Sequence, residues 1–237
     1  MAVNLWAVRL ERPLTDRETA AMLAVLPPDR RERLLRIKRE EKRREPLCAY
    51  WILRLALREQ YHWRELPEIR VSSQGKPYFP EFSTVQFNIS HTDGAALVGI
   101  GDHPMGVDIE KIRPVSRPAM ERVGDGTTEE AFFRSWVRRE ARTKCSGAGI
   151  GSMLRTETPL EEDEAYYELN IFRGYAAGVA VRSGEVPRAP KICTMDGLLG
   201  DIRCMGGSFP LIFCGKKILG GYVETNERKI TPLFPFI

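Results

Sequence analysis

The 237 residues predict an α+β fold in which each of two halves combines a helix with short antiparallel strands. Three observations carry this. The stretch after Pro46, with Leu47, Tyr50, Trp51, Leu55 and Leu57, reads as a largely buried helix running to Tyr61. Val85 to Ile89 and Ala95 to Ile100 flank His91-Thr92-Asp93-Gly94 as a hairpin-like pair. Glu129 to Lys144 reads as a second helix, followed by strands at Ala165 to Ile171 and Tyr175 to Val181 around the Arg173-Gly174 turn.

The remaining elements follow in order. Val3 to Leu10 is apolar enough for a strand. Thr15 to Arg44 is polar and helical, broken at Pro27-Pro28 because proline lacks an N–H and clashes with the preceding turn. Asp29 is the expected cap there, and Pro46 suits the first position of the next helix. Past Ile69 the pattern changes to short strands with a Gly75-Lys76-Pro77 turn, and Met105 to Ile109 is another strand. The expected division is 1–103, 104–187 and a weakly patterned Gly/Pro-rich tail, 188–237, to which the sequence assigns no role.

With 43% hydrophobic residues the chain has material for a sizeable core. The opening MAVNLWAVRLER meets charge within about eight apolar residues and lacks a basic start, so it reads as a strand rather than a signal peptide. No run is long enough to span a bilayer, and no membrane partner is expected. Five cysteines without CxxC spacing argue against a zinc site or a disulfide framework, and a reducing cytoplasm fits. The net charge of +4 is local: Arg30 to Arg44 holds nine basic residues against Glu32, Glu40 and Glu41. Such a run is ordinarily a solvated helix face. A nucleic-acid module would add an aromatic stacking ladder, which is lacking, so no nucleic-acid partner is expected.

Four features carry candidate chemistry. In Gly106-Val107-Asp108-Ile109-Glu110, alternation along a strand sets the Asp108 and Glu110 carboxylates on one face. Two such charges are costly together unless a cation neutralises them, and magnesium takes oxygen ligands of this kind; an exposed strand end is the plainer reading. In Trp136-x-x-x-Glu140-x-x-x-Lys144 the spacing aligns three side chains on one helix face, which in isolation reads first as a surface i,i+4 salt bridge. A third carboxylate near Asp108 and Glu110 would complete a metal site, and Glu140 would then be placed to accept a proton from an attacking hydroxyl. Phe87-Asn88-Ile89-Ser90-His91 delivers Ser90 and His91 to the end of a strand. Adjacent residues make a poor nucleophile and base, which excludes a serine hydrolase. Gly75-Lys76-Pro77 sets a lysine on a turn, an ordinary feature by itself.

Taken in order, Gly75-Lys76-Pro77-Tyr78, Phe87-Asn88-Ile89-Ser90-His91, Gly106-Val107-Asp108-Ile109-Glu110 and Trp136-x-x-Arg139-Glu140-x-x-x-Lys144-x-x-Gly147-x-Gly149 resemble the 4′-phosphopantetheinyl transferases of the surfactin-synthetase-activating type. The resemblance spans about residues 1–182. It implies two similar subdomains in pseudo-twofold arrangement, a monomer, and coenzyme A in a cleft between them. The activity implied is transfer of the phosphopantetheine arm to a serine of an acyl or peptidyl carrier protein, with Mg2+ on the pyrophosphate and 3′,5′-ADP released. By the same resemblance Asp108, Glu110 and Glu140 are metal ligands and Glu140, Lys144 and His91 are catalytic. Arg30, Arg33, Lys76, Pro77, Ser90, His91, Arg139 and Lys144 line the coenzyme A site.

Three departures stand out. Arg139 replaces the usual lysine before the glutamate, keeping the charge but changing its shape. Glu45-Pro46 stands near a place where the family keeps an arginine and a small residue, with Arg43 or Arg44 as substitutes. The stretch between Lys111 and Phe132, including Val115 to Thr128 with Gly124-Asp125-Gly126, is short and lacks an aromatic-rich helix that commonly receives the carrier. The alternative these leave is a coenzyme A-binding protein with little or no transfer.

Overall fold

The protein is described from a computed structural model covering residues 3–123, 128–147, 160–182, 186–204, 222–224 and 230–232. Gly124-Asp125-Gly126, Gly149 and most of the tail lie outside the described residues. Strand β1 (Asn4–Arg9) leads into helices α1 (Asp16–Ala24), α2 (Pro28–Leu35) and α3 (Arg44–Tyr61). Thr15 opens α1 with a capping box: its hydroxyl accepts from the Glu18 N–H while the Glu18 carboxylate accepts from the Thr15 N–H. Two boundaries differ from expectation. Pro27, not Asp29, is the cap residue of α2, because Pro28 takes the first helical position. Pro46 falls at the third residue of α3, still within the first turn, whose N–H groups lack partners anyway.

A short hairpin of β2 (Arg70–Val71) and β3 (Pro77–Tyr78) precedes the long hairpin of β4 (Gln86–Thr92) and β5 (Ala95–Gly101). Strand β6 (Met105–Lys111) begins the second half. It is followed by α4 (Arg117–Val123) and α5 (Glu129–Ser146), then β7 (Ala165–Glu168) and β8 (Tyr175–Val181). Thr128 caps the start of α5, and Gly147 ends it in the left-handed region, at φ 73°.

Beyond residue 187, β9 (Lys191–Cys193) pairs in parallel with β1, and α6 (Met195–Cys204) follows. Weak patterning hid this strand and helix from sequence reading. Met195, Leu198 and Leu199 are nonetheless buried in the core of the first half. Strands β10 (Tyr222–Glu224) and β11 (Ile230–Pro232) form a separate antiparallel pair.

The main sheet runs β4-β5-β1-β9 and the second β6-β8-β7. Strict alternation along β1 shows how they stack. Trp6, Val8 and Leu10 pack with the apolar side chains of α3, whereas Val3, Leu5 and Ala7 join Val107, Ile109, Ala177 and Val179 from the second sheet. On β8 the opposite face, Ala176 and Ala180, meets Phe132, Val137, Ala141 and Cys145 of α5. The layers are therefore helix, sheet, sheet, helix. No helix among the described residues is long and apolar enough to cross a membrane.

Candidate active site

The two halves meet where β4 runs beside β6, and the contact is made by side chains. Asn88, Ser90 and Thr92 occupy alternate positions of β4 and so share one face. The Asn88 carbonyl oxygen accepts from the Val107 N–H at 2.9 Å, the Ser90 hydroxyl from Ile109 N–H at 3.4 Å, and the Thr92 hydroxyl from Lys111 N–H at 3.3 Å. A polar side-chain ladder replaces the backbone ladder of a continuous sheet. It satisfies backbone donors that burial would otherwise leave costly.

Onto this seam the sequence brings the expected carboxylates. Asp108 is 1% exposed, and its Oδ1 accepts from the Ser90 hydroxyl at 2.6 Å and from the Lys144 ammonium at 2.6 Å. Lys144 also reaches Glu140 Oε2 at 3.0 Å. The spacing of Glu140 and Lys144 is thus an i,i+4 ion pair, but one aimed at a buried strand carboxylate. Glu110, one alternation on from Asp108, accepts at Oε2 from the Thr92 hydroxyl at 2.9 Å and from Arg113 at 3.0 Å.

Close approach of α5 to β6 makes this possible. A Cβ at Gly106 would lie 2.5 Å from the Cys145 nitrogen and 2.7 Å from the Lys144 Cβ. Only glycine lets the helix come near enough for Lys144 to touch Asp108.

The electrostatics follow from burial. Glu140 has a raised pKa, first because it is desolvated and next because Asp108 is close, with Lys144 working the other way. Burial alone would lower the pKa of Lys144, but the Asp108 and Glu140 carboxylates outweigh it and the pKa is raised. Among the described residues no three metal-ligating side chains stand as a ready metal site. Even so, Asp108 Oδ2 is buried without a hydrogen-bond partner, and the Glu140 carboxylate lies close to Asp108, oxygen donors of the kind that suit a divalent cation.

The other expected residues are dispersed around the seam. Strand β4 extends through Thr92, so Ser90 and His91 point to opposite faces: Ser90 is buried at the seam and His91 exposed. The imidazole lies within electrostatic reach of Glu45, Lys144 and Asp108, and crowding by protein atoms lowers its pKa. Lys76 donates to the carbonyls of Met105 at 3.3 Å and Cys145 at 3.1 Å, tying the first half to the end of α5. Its ammonium thereby sits at the negative end of the helix dipole, and its own burial depresses its pKa.

Pro77 is half-buried in β3, and Arg139 is half-buried on α5. Arg30 is buried, its guanidinium bonded to the Ile69 carbonyl and beside Asp29, while Arg33 is exposed on the same helix. Arg43 bonds the Ile37 and Leu35 carbonyls, and Arg44 pairs with Glu45 at 2.7 Å, so both arginines near the Glu45-Pro46 departure are engaged within the fold. Sequence reading missed Asn88 and Thr92, although the period-two spacing of polar residues in FNISHT signals one shared face.

No family model matches the chain. Among curated proteins, the 4′-phosphopantetheinyl transferase AcpT of Escherichia coli O157:H7 is 30% identical over 150 residues, covering 57% of this chain and 72% of that one. The chain belongs to the 4′-phosphopantetheinyl transferases. Sfp of Bacillus subtilis strain 168 is 26% identical over 166 residues, or 64% of this chain and 74% of that one. A second Bacillus subtilis transferase, ffp, is 27% identical over the same extent. In this transferase the four sequence signatures converge unequally: Ser90, Asp108, Glu140 and Lys144 form one bonded cluster, with Lys76 bracing the helix that supplies the last two.

Proposed function

We propose that this transferase moves the 4′-phosphopantetheine arm of coenzyme A to a serine of acyl or peptidyl carrier proteins, with Mg2+, releasing 3′,5′-ADP. The observation that carries the reading is the contact of Lys144 with Asp108 and Glu140 beside the seam between the halves, where Ser90 of the first half also bonds Asp108. Asp108, Glu110 and Glu140 would hold the ion, which when bound neutralises pyrophosphate charge and polarises the phosphorus to be attacked.

The chain's own groups do the rest by placement and charge. Glu140, with its carboxyl pKa raised, accepts the proton of the carrier serine hydroxyl as the oxygen attacks the β-phosphorus. Lys144, now shared between Asp108 and Glu140, would supply positive charge to the phosphate oxygens of coenzyme A. His91, Ser90, Lys76, Pro77 and Arg139 line the coenzyme A side, with Arg30 and Arg33 toward the 3′-phosphate. We assign the halves, each a helix on an antiparallel sheet, a pseudo-twofold relation, and the enzyme a monomeric, cytoplasmic state serving no nucleic acid.

The test is mass spectrometry of an apo carrier protein after incubation with coenzyme A, magnesium and the enzyme. Addition of the arm's mass, lost in Glu140→Gln, is expected. Coenzyme A binding by calorimetry with no mass added to any carrier would overturn the transfer and leave a coenzyme A-binding protein.

A further inference from the structure

The seam repeats one device twice. Ser90 and Asp108 stand 18 residues apart, as do Thr92 and Glu110. In each pair the β4 hydroxyl accepts a β6 backbone N–H, from Ile109 or Lys111, and donates its own proton to the carboxylate next to that N–H. A fixed backbone donor on one lone pair restricts where the hydroxyl hydrogen can point, and in both pairs a carboxylate oxygen stands within its reach; on Ser90 the Lys144 ammonium takes up the second lone pair as well. Each carboxylate is therefore gripped through one oxygen by a donor of fixed aim.

The choice of oxygen matters. On Asp108, Ser90 and Lys144 both take Oδ1, and the buried Oδ2 has no hydrogen-bond partner. On Glu110, Thr92 and Arg113 both take Oε2, and Oε1 takes part in neither bond. Glutamate has one more rotatable bond than aspartate, and Glu110 is less buried than Asp108. It has more freedom to lose, so a fixed donor matters more to it. Arg113 is the more exposed partner, with a 55% exposed side chain in an i,i+3 ion pair, although it also bonds the Lys111 carbonyl and lies over the Phe133 ring; Thr92 holds the carboxylate from the strand itself.

We infer that Thr92 is a positioning residue: its hydroxyl fixes the Glu110 carboxylate in the orientation in which Oε1 meets a divalent cation. This rests on the cation site of the proposed function. Partners that orient metal ligands in this way are worth roughly 10–100-fold in metal affinity.

The experiment compares the unaltered enzyme with Thr92→Val, which keeps the shape and removes the hydroxyl, and Thr92→Ser, which restores it. Mn2+ binding is titrated by electron paramagnetic resonance in the presence of coenzyme A, alongside melting temperature and the KM for coenzyme A. Thr92→Val is expected to weaken Mn2+ binding about tenfold with the KM for coenzyme A unchanged, and Thr92→Ser to regain most of the loss. Equal Mn2+ affinity in Thr92→Val and the unaltered enzyme overturns the inference alone. So does a fall in melting temperature without an affinity change, which identifies a purely structural seam contact. Failure of the unaltered enzyme to bind Mn2+ removes the cation site itself, and this inference with it.

Discussion

Gly106→Ala is the substitution whose consequences the structure determines most directly. The new methyl carbon would stand 2.5 Å from the Cys145 nitrogen and 2.7 Å from the Lys144 Cβ. Carbon contacts are comfortable near 3.5 Å, so α5 must retreat by about 1 Å along the line from β6. The Lys144 to Asp108 contact of 2.6 Å bridges helix and strand and lengthens with the retreat, whereas the Lys144 to Glu140 contact of 3.0 Å lies within α5 and moves with it. A contact stretched by about 1 Å passes beyond hydrogen-bond range. Misplacement on that scale costs on the order of 100-fold in rate. Overpacking of this kind costs about 1–3 kcal/mol, which for a chain of this size lowers the melting temperature by roughly 2–12 °C. The assays are thermal unfolding and carrier loading under single-turnover conditions. A Gly106→Ala enzyme that melts and loads like the parent would refute the claim that close helix approach builds the site.

Other substitutions probe the parts that hold the site. Lys76→Met removes two charge-assisted bonds at the end of α5 and should lower denaturant stability by about 1–3 kcal/mol, while Lys76→Arg recovers part of it. Ending the chain at residue 187 strips Met195, Leu198 and Leu199 from the first core, each worth on the order of 1.5–3 kcal/mol, so circular dichroism should show a chain unfolded or melting far earlier. The Arg12 guanidinium, 2.8 Å away, holds the Glu18 carboxyl down to about 2, helped by the Thr15 N–H of the capping box. A depressed folded pKa contributes stability that is present above the unfolded value of 4.5 and is lost as pH falls toward 2. Glu18→Gln should therefore lower stability near neutrality, where the contribution is fully present, and flatten the acid side of the profile between those values so that parent and variant converge toward pH 2.

Much of the fold was legible because burial is periodic. The helix after Pro46, the β4 and β5 hairpin and the helix from Glu129 all announce themselves through apolar spacing, and all form. The segment from Lys191 to Cys204 did not, for a physical reason. Strand β9 is short, lies at a sheet edge and exposes Ile192, so its sequence carries little alternation. Helix α6 contains Gly197 and Gly200, which weaken the helical signal, although its buried leucines decide the packing. What fixes such a segment is the groove already made by the rest of the chain, and one sequence does not display a groove.

The site was legible in its carboxylates but not in what aims them. Strand spacing places Asp108 and Glu110 on one face, and helical spacing joins Glu140 to Lys144. Neither rule relates the strand to the helix: that depends on Gly106, whose missing side chain is a signal only once the helix lies across it. Ser90 was read together with His91 because they are adjacent, whereas strand geometry sends them to opposite faces and allies Ser90 with Asn88 and Thr92 instead. The seam couples folding to chemistry. The N–H groups at 107, 109 and 111 need acceptors to be buried at all, and two of the side chains that satisfy them also orient the carboxylates. Removing one of these hydroxyls should therefore weaken the junction and misdirect a carboxylate together, whereas removing Asn88, which touches no carboxylate, should weaken the junction alone.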